Sequence, residues 1–245
     1  MYHIQVDNKN AILELLKADK EFHKIYVAYN AFKDPKTQEL LKEARKRGIE
    51  IIKLPRRSMD KKTKGGSKSV LGILVSKNDW SLDDLLTDLF INKQNPFFLI
   101  LDNLKYTQNL GSIMRTAYAS GVNGVILPVR KESYLNAEVT RISMGASERV
   151  PLVEMGLFDA VKHLKENDIK IIALEQKGDV YYKADLTGPV AFVLGSEDEG
   201  ISTKLLERVD KKVFIPKREG LGELNIAVST GVLCYEKLRQ EVTSA

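Results

Sequence analysis

Asn109-Leu-Gly-Ser-Ile-Met-Arg115, Leu194-Gly-Ser-Glu-Asp-Glu-Gly200, and Ile215-Pro216 leading to Leu224-Asn225 are the stretches on which the fold turns. Each follows a run that reads as a buried strand, and each leads towards a helix. Parallel α/β sheets place their ligand crevice outside the carboxyl ends of the strands, so three such turns mark the corners of one site.

Outward from these turns, strands and helices alternate. Phe97 to Leu101 is an apolar run suited to a strand covered on both faces. A helix is predicted from about Leu110 to Ser120, a strand over Gly124 to Leu127, and a helix near Asn136 to Met144. Short extended Val150 to Val153, helical Phe158 to Glu166 and strand Ile169 to Leu174 follow. Val190 to Leu194 and Lys212 to Ile215 complete the strands, and a last helix covers about Asn225 to Gln240. This order predicts a mainly parallel sheet with helices on both faces, over residues 96–245.

Residues 1–76 read as a smaller α/β domain. Ala11, Leu15 and Ala18 recur at helical spacing, Asp34-Pro35 starts a second helix, and Gly48 stops it. Ile25 to Tyr29, Ile49 to Leu54 and Val70 to Ser76 are predicted strands. Residues 77–95 form a connection with a short helix, capped by Ser81 and buried on Leu82, Leu85, Leu86 and Leu89.

The net charge of +5 is unevenly spread: residues 1–76 carry +8 and residues 77–245 carry −3. A basic first third points either to a polyanion partner or to a solvated lysine-rich face. The segment Arg56 to Lys68, with Arg56, Arg57, Lys61, Lys62, Lys64 and Lys68, reads as a glycine-bearing loop, either a phosphate-tracking arm or a solvated surface. No apolar run approaches the roughly 20 residues of a membrane span, and the N-terminus lacks the apolar core of a signal peptide. Cys234 is the one cysteine, so no internal disulfide forms, and a reducing cytoplasm suits the chain.

Taken singly, the candidate residues have plain structural readings. Asn109 suits an N-cap. Arg115, six residues on, falls on a different helix face from Asn109 and could be an exposed arginine. The Gly195–Gly200 turn sets two glycines around Glu197, Asp198 and Glu199. No matching His or carboxylate set stands elsewhere, so a hard cation would lack oxygen ligands, and no metal is expected. GxGxxG and Walker loops are absent, which counts against ordinary dinucleotide or P-loop chemistry.

Together, the three segments closely resemble the TrmH-type RNA methyltransferases of the SPOUT superfamily, over about residues 96–240. Residues 1–76 resemble the small RNA-binding domain that precedes the catalytic domain in bacterial ribosomal RNA guanosine 2′-O-methyltransferases. The resemblance implies a deep trefoil knot near the C-terminus, a homodimer, and S-adenosylmethionine as methyl donor. It implies catalytic roles for Asn109, Arg115, Glu197 and Asn225, with Gly195, Gly200, Ile215 and Leu224 around the donor. The substrate implied is RNA, most closely a guanosine of 23S ribosomal RNA; a tRNA ribose methyltransferase and a non-catalytic ribosome-assembly protein are the alternatives. Three places depart from the family pattern. Lys217 replaces methionine after the proline, Glu223 replaces serine before Leu-Asn, and Val70-Leu71-Gly72 stands where His-Gln-Gly is usual. His3, His23 and His163 lie outside all three segments, so no histidine is a candidate base.

Overall fold

A computed structural model of the chain describes residues 2–63, 68–76, 80–130, 133–218, 220 and 222–244, without the side chains of 2–4, 61, 62, 74–76 and 244. Two compact units result: Met1–Asn78 with Ser133–Arg149, and Asp79–Glu132 with Val150–Ala245.

The first unit is a four-stranded sheet in the order β1-β4-β2-β3, with β1 Tyr2–Val6, β2 Phe22–Ala28, β3 Glu50–Leu54 and β4 Val70–Ser76. β2 and β3 run parallel, and β4 is antiparallel to both β1 and β2. Helix α1 (Lys9–Lys17) is capped by Asn8, whose side chain accepts from the Asn10 and Ala11 backbones. It buries Ala11, Ile12, Leu15 and Leu16, at the spacing the sequence predicts. Helix α2 (Pro35–Lys46) starts at Asp34, which accepts the Thr37 N–H at 2.9 Å, with Pro35 pre-set at the first helical position.

Three features of this unit differ from expectation. The N-terminal residues form strand β1. The basic segment expected as a loop is helix α3 (Arg56–Lys62) over its first half. Its physical reason is Met59, fully buried against Ala28 and Leu71, while Arg56 pairs with Asp60 one turn on at 3.2 Å. Residues 133–149, predicted within the second domain, group with the first unit. Their helix α6 (Ala137–Ile142) packs against β1, and Arg149 Nη2 donates to the Glu14 carbonyl at 2.9 Å.

The second unit is a six-stranded, wholly parallel sheet in the order β10-β8-β9-β5-β6-β7. Its strands are β5 Phe97–Asp102, β6 Gly124–Leu127, β7 Leu152–Glu154, β8 Lys170–Val180, β9 Val190–Gly195 and β10 Lys211–Phe214. All of β5 is buried, which explains why its sequence does not alternate. Phe97 and Phe192 meet edge to face at 5.4 Å. Each large side chain so buried contributes roughly 1.5–3 kcal/mol. The helices are α4 (Leu82–Ile91), α5 (Thr107–Ala119), α7 (Leu157–Glu166), the short α8 (Thr203–Leu206) and α9 (Ile226–Ser244). Ser81 caps α4, accepting the Asp84 N–H at 3.1 Å. Among the described residues no helix is long and apolar enough to cross a membrane.

The strand order places the site. From β5 the chain steps through β6 to β7, then crosses to β8 on the far side of β9. β9 pairs with β5 from Phe97↔Val190 to Asp102↔Gly195. The crevice at the carboxyl ends of β5 and β9 is therefore a topological switch point.

Candidate active site

At the end of β5, Asp102 is buried and its Oδ2 accepts the Ser202 N–H at 2.9 Å. Asn103 takes the left-handed conformation, φ 55°, which asparagine tolerates, and donates its amide to the Gly200 carbonyl at 3.1 Å. Lys105 pairs with Glu199 at 2.8 Å and Asp198 at 3.7 Å. The hydrogen bond it donates to Glu199 holds Lys105 above the usual lysine range. Two of the three acidic side chains in the Gly195–Gly200 turn thus strap it to the β5–α5 connection. Among the described residues, no group of three or more His, Cys, Asp or Glu side chains is placed to hold a metal.

The turn itself closes tightly. Gly200 N donates to Ser196 O at 2.9 Å, Glu199 N to Ser196 Oγ at 3.1 Å, and Gly200 has φ 64°. A Cβ on Gly195 would lie 2.1 Å from the Gly200 carbonyl carbon and 2.3 Å from Ile201 N. Glycine at 195 is required by this backbone approach, whereas the sequence predicts approach of a ligand.

The third acidic side chain turns the other way. Glu197 Oε1 accepts from Asn225 Nδ2 at 2.7 Å, from Ile226 N at 3.0 Å and from Asn109 Nδ2 at 3.3 Å. Asn225 Nδ2 also donates to Asn109 Oδ1 at 3.0 Å, while Asn225 Oδ1 accepts the Ala227 N–H at 2.9 Å and so caps α9. One carboxylate oxygen therefore joins all three segments. Asn109 lies within the first turn of α5, past its cap at Tyr106 rather than at it, so its amide is free for Glu197.

Beside this junction lies a cavity of about 590 Å³. Gly195, Glu197, Gly200, Ile215 and Leu224 line it, as does Gln176 within β8. Asn109 and Asn225 are absent from its lining and connect to it through Glu197. Arg115 is exposed on α5 and, among the described residues, makes no hydrogen bond or ion pair. The sequence groups it with Asn109 and Glu197, but their bonds go to Asn225 and the start of α9. Six residues on a helix turn Arg115 well away from Asn109. Cys234 is buried on α9, and burial pushes its thiol up to about 12, so it offers no nucleophile.

Asn103, Lys105 and Gln176 are additions to the residues flagged by sequence. Asn103 carries a signal, an Asp-Asn pair at a strand end. Lys105 and Gln176 carry none, because their partners are remote in the chain.

Of the basic residues in the first unit, Arg56 and Arg57 lie in the first turn of α3, and Lys68 stands 3.9 Å from Asp7. The side chains of Lys61 and Lys62, and the whole of Lys64, lie outside the described residues.

Residues 96–235 match the family model described as SpoU rRNA Methylase family, and residues 9–69 match the one described as RNA 2′-O ribose methyltransferase substrate binding. The chain is 33% identical over 240 residues to YacO of Bacillus subtilis, whose name places it provisionally among TrmH family tRNA/rRNA methyltransferases; 97% of this chain and 96% of that protein are covered. It is 33% identical over 215 residues to the 23S rRNA (guanosine-2′-O-)-methyltransferase RlmB of Haemophilus influenzae, covering 86% and 87%. The fold matches the SpoU methyltransferase AviRb of Streptomyces viridochromogenes, solved with AdoMet, with a TM-score of 0.81 at 20% identity over 98% of this chain and 91% of that one. Three motif segments meeting on one carboxylate oxygen at a switch point, and a family model spanning the whole sheet that carries them, place this chain in the SpoU rRNA methylase family.

Proposed function

We propose that this protein methylates a ribose 2′-hydroxyl in RNA with S-adenosylmethionine as donor, and that its target is a guanosine of 23S ribosomal RNA. The observation that carries this reading is the junction at Glu197 Oε1, which joins three segments beside one cavity. At about 590 Å³ the cavity is within the range of small-molecule and cofactor sites, roughly 300–1,000 Å³. Gly195, Ile215 and Leu224 beside Gln176 and Glu223 offer the mixed polar and apolar wall that such a molecule needs.

When bound there, S-adenosylmethionine supplies a methyl group already activated on a sulfonium. The residues of the chain then have to hold and orient. Glu197 fixes Asn109 and Asn225 and the first turn of α9, so these groups are set before substrate arrives. Asn225 positions the ribose or the cofactor loop. Arg115, unengaged among the described residues, grips the phosphate beside the target ribose and stabilises developing negative charge. Arginine holds its proton too tightly to act as a base, so a phosphate oxygen or water takes the hydroxyl proton.

The same reading includes a trefoil knot near the C-terminus, a cytoplasmic setting and a homodimer. Exposed Val228, Tyr235 and Val242 recur every seven residues on α9, an apolar stripe suited to a second copy. It assigns the chain up to residue 76 to RNA binding, with Arg56, Arg57 and Lys68 on phosphates, and residues 96–245 to methyl transfer.

The test is transfer of labelled methyl from S-adenosylmethionine to purified 23S ribosomal RNA, followed by nuclease digestion. Appearance of 2′-O-methylguanosine is the expected result. Label in tRNA alone would move the substrate, and no transfer to any RNA would overturn the reading.

A further inference from the structure

We infer that the carboxyl end of β2 and β3 in the first unit's sheet is a platform for single-stranded RNA, on which Tyr29 stacks an unpaired base while Lys53 and Arg57 hold the flanking phosphates. The inference rests on the reading of the chain as an RNA methyltransferase and deepens it.

Topology assembles this end of the sheet. β2 and β3 are parallel, with Ala28 opposite Leu54, so the residues that follow both strands emerge on the same side. After β2 comes a single 3-10 turn, Tyr29–Lys33; after β3 come Pro55 and the start of α3. β4 runs antiparallel to β2, pairing Val70 with Val27, and Ala28 N donates to Ser69 O at 2.9 Å. Lys68 therefore enters at this end as well.

The turn holds its shape. Ala31 is buried beneath it, Asp34 N donates to Ala31 O at 3.1 Å, and Gln38 Nε2 donates to Phe32 O at 2.9 Å. On this fixed support the Tyr29 side chain is 59% exposed. Lys53 Nζ sits 5.0 Å from the centre of the Phe32 ring, which draws the cation to the same spot. Lys33, Lys53 and Arg57 are exposed and, among the described residues, form no ion pair.

At the other end of these strands Arg47 pairs with Glu43 at 3.0 Å and also with Asp19, so its charge is spent inside the fold. An exposed ring beside cations that no carboxylate among the described residues neutralises is the surface on which a base can stack with its phosphates held. The exposed ring selects the kind of RNA. Bases within a duplex present edges, not faces, so a tyrosine offered to solvent takes a base from a loop, bulge or single strand.

The experiment uses the full chain and a short single-stranded RNA oligonucleotide carrying one 2-aminopurine, with a duplex of the same sequence beside it. Stacking quenches 2-aminopurine fluorescence on binding. Tyr29→Ala is expected to weaken single-strand binding about tenfold and remove the quench, in line with the cost of losing one base–aromatic stack. Tyr29→Phe keeps the ring and is expected to retain both. Lys53→Gln with Arg57→Gln is expected to flatten the salt dependence of affinity while keeping the quench. Donor affinity, measured with S-adenosylmethionine, stays unchanged in every variant. Wild-type affinity and quench in Tyr29→Ala would overturn the inference, as would equal loss in Tyr29→Phe or tighter binding of the duplex. Methyl transfer by the wild-type protein, assayed in parallel, separates the cases: transfer with an indifferent Tyr29 removes the platform alone, whereas absent transfer removes the enzymatic reading.

Discussion

Glu197 and Asn225 meet at 2.7 Å across 28 residues of chain, and the same Glu197 oxygen accepts the N–H of Ile226, the first residue of α9. A carboxylate at a helix N-terminus is favoured by the helix dipole and by the unpaired amides there. The contact fastens the end of the central sheet to the last helix, and Asn109 joins it from α5.

Glu197→Ala removes the acceptor from three donors at once. Hydrogen bonds to a charged group are worth roughly 1.5–3 kcal/mol each where they are well shielded. With Asn225 exposed, a total loss of about 2 kcal/mol is expected, visible as a lower melting temperature, with methyl transfer reduced alongside. Glu197→Gln keeps an acceptor oxygen without the charge and should fall between. Melting and turnover like wild type in the alanine variant would remove Glu197 from its central position.

Gly195→Ala tests the close turn. The added methyl would overlap the backbone of Gly200 and Ile201, which has no flexible side chain to move aside. The turn must open, and with it one wall of the cavity. Calorimetry with S-adenosylmethionine should show affinity reduced by about tenfold or more, the cost of roughly 1–3 kcal/mol that overpacking carries. Unchanged affinity would mean that the turn is not part of the donor site.

Lys217 and Glu223, two positions that depart from the family pattern, are ion-paired with each other. Glu223 also accepts from Gln176 Nε2 at 2.9 Å, at the rim of the cavity. An exposed pair contributes about 0–1 kcal/mol to stability, so its effect belongs to the shape of the rim. Lys217→Met or Glu223→Ser alone leaves one charge unpaired and should weaken donor binding a few-fold. The double variant should recover most of that loss, giving a coupling in a double-mutant cycle. Strictly additive losses would show that the two charges act independently.

Asp34 gives a pH prediction for the first unit. Its hydrogen bond from Lys9, then those from Thr37, hold its carboxyl down to about 2. A carboxylate with a folded value below its unfolded one, about 3.9, stabilises the fold above the unfolded value. That contribution is lost as pH falls from about 4 towards 2. Asp34→Asn should therefore melt lower than wild type at neutral pH, and the gap between the two should close on acidification through that window. A gap independent of pH would contradict this role.

Much of the second unit is legible in the sequence because strands buried on both faces read as continuous apolar runs. Phe97 to Leu101 and Val190 to Leu194 are such runs. The convergence at Glu197 is different in kind. Asn109 and Glu197 are 88 residues apart, and Asn225 and Asn109 are 116 apart, so only strand order could bring them together. Local composition also misled where one buried residue outweighed many charges: Met59 makes α3 a helix in a segment dominated by lysine and arginine. The grouping of residues 133–149 depends on which surface their apolar side chains meet, and periodicity is silent on that.

Arg115 carries the sharpest chemical prediction. It is exposed and, among the described residues, has no polar partner, so nothing in the fold depends on its charge. Arg115→Ala should melt like wild type and bind S-adenosylmethionine normally. Its role is at the substrate, where a guanidinium on a phosphate stabilises charge that develops only during transfer, so turnover should fall by about a hundredfold or more. Arg115→Lys restores the charge but not the planar fork that grips two oxygens, and should recover only part of the rate. Single-turnover assays at saturating RNA separate this effect from weaker RNA binding. Near-normal turnover in the alanine variant would leave charge stabilisation to another residue and return Arg115 to an ordinary surface position.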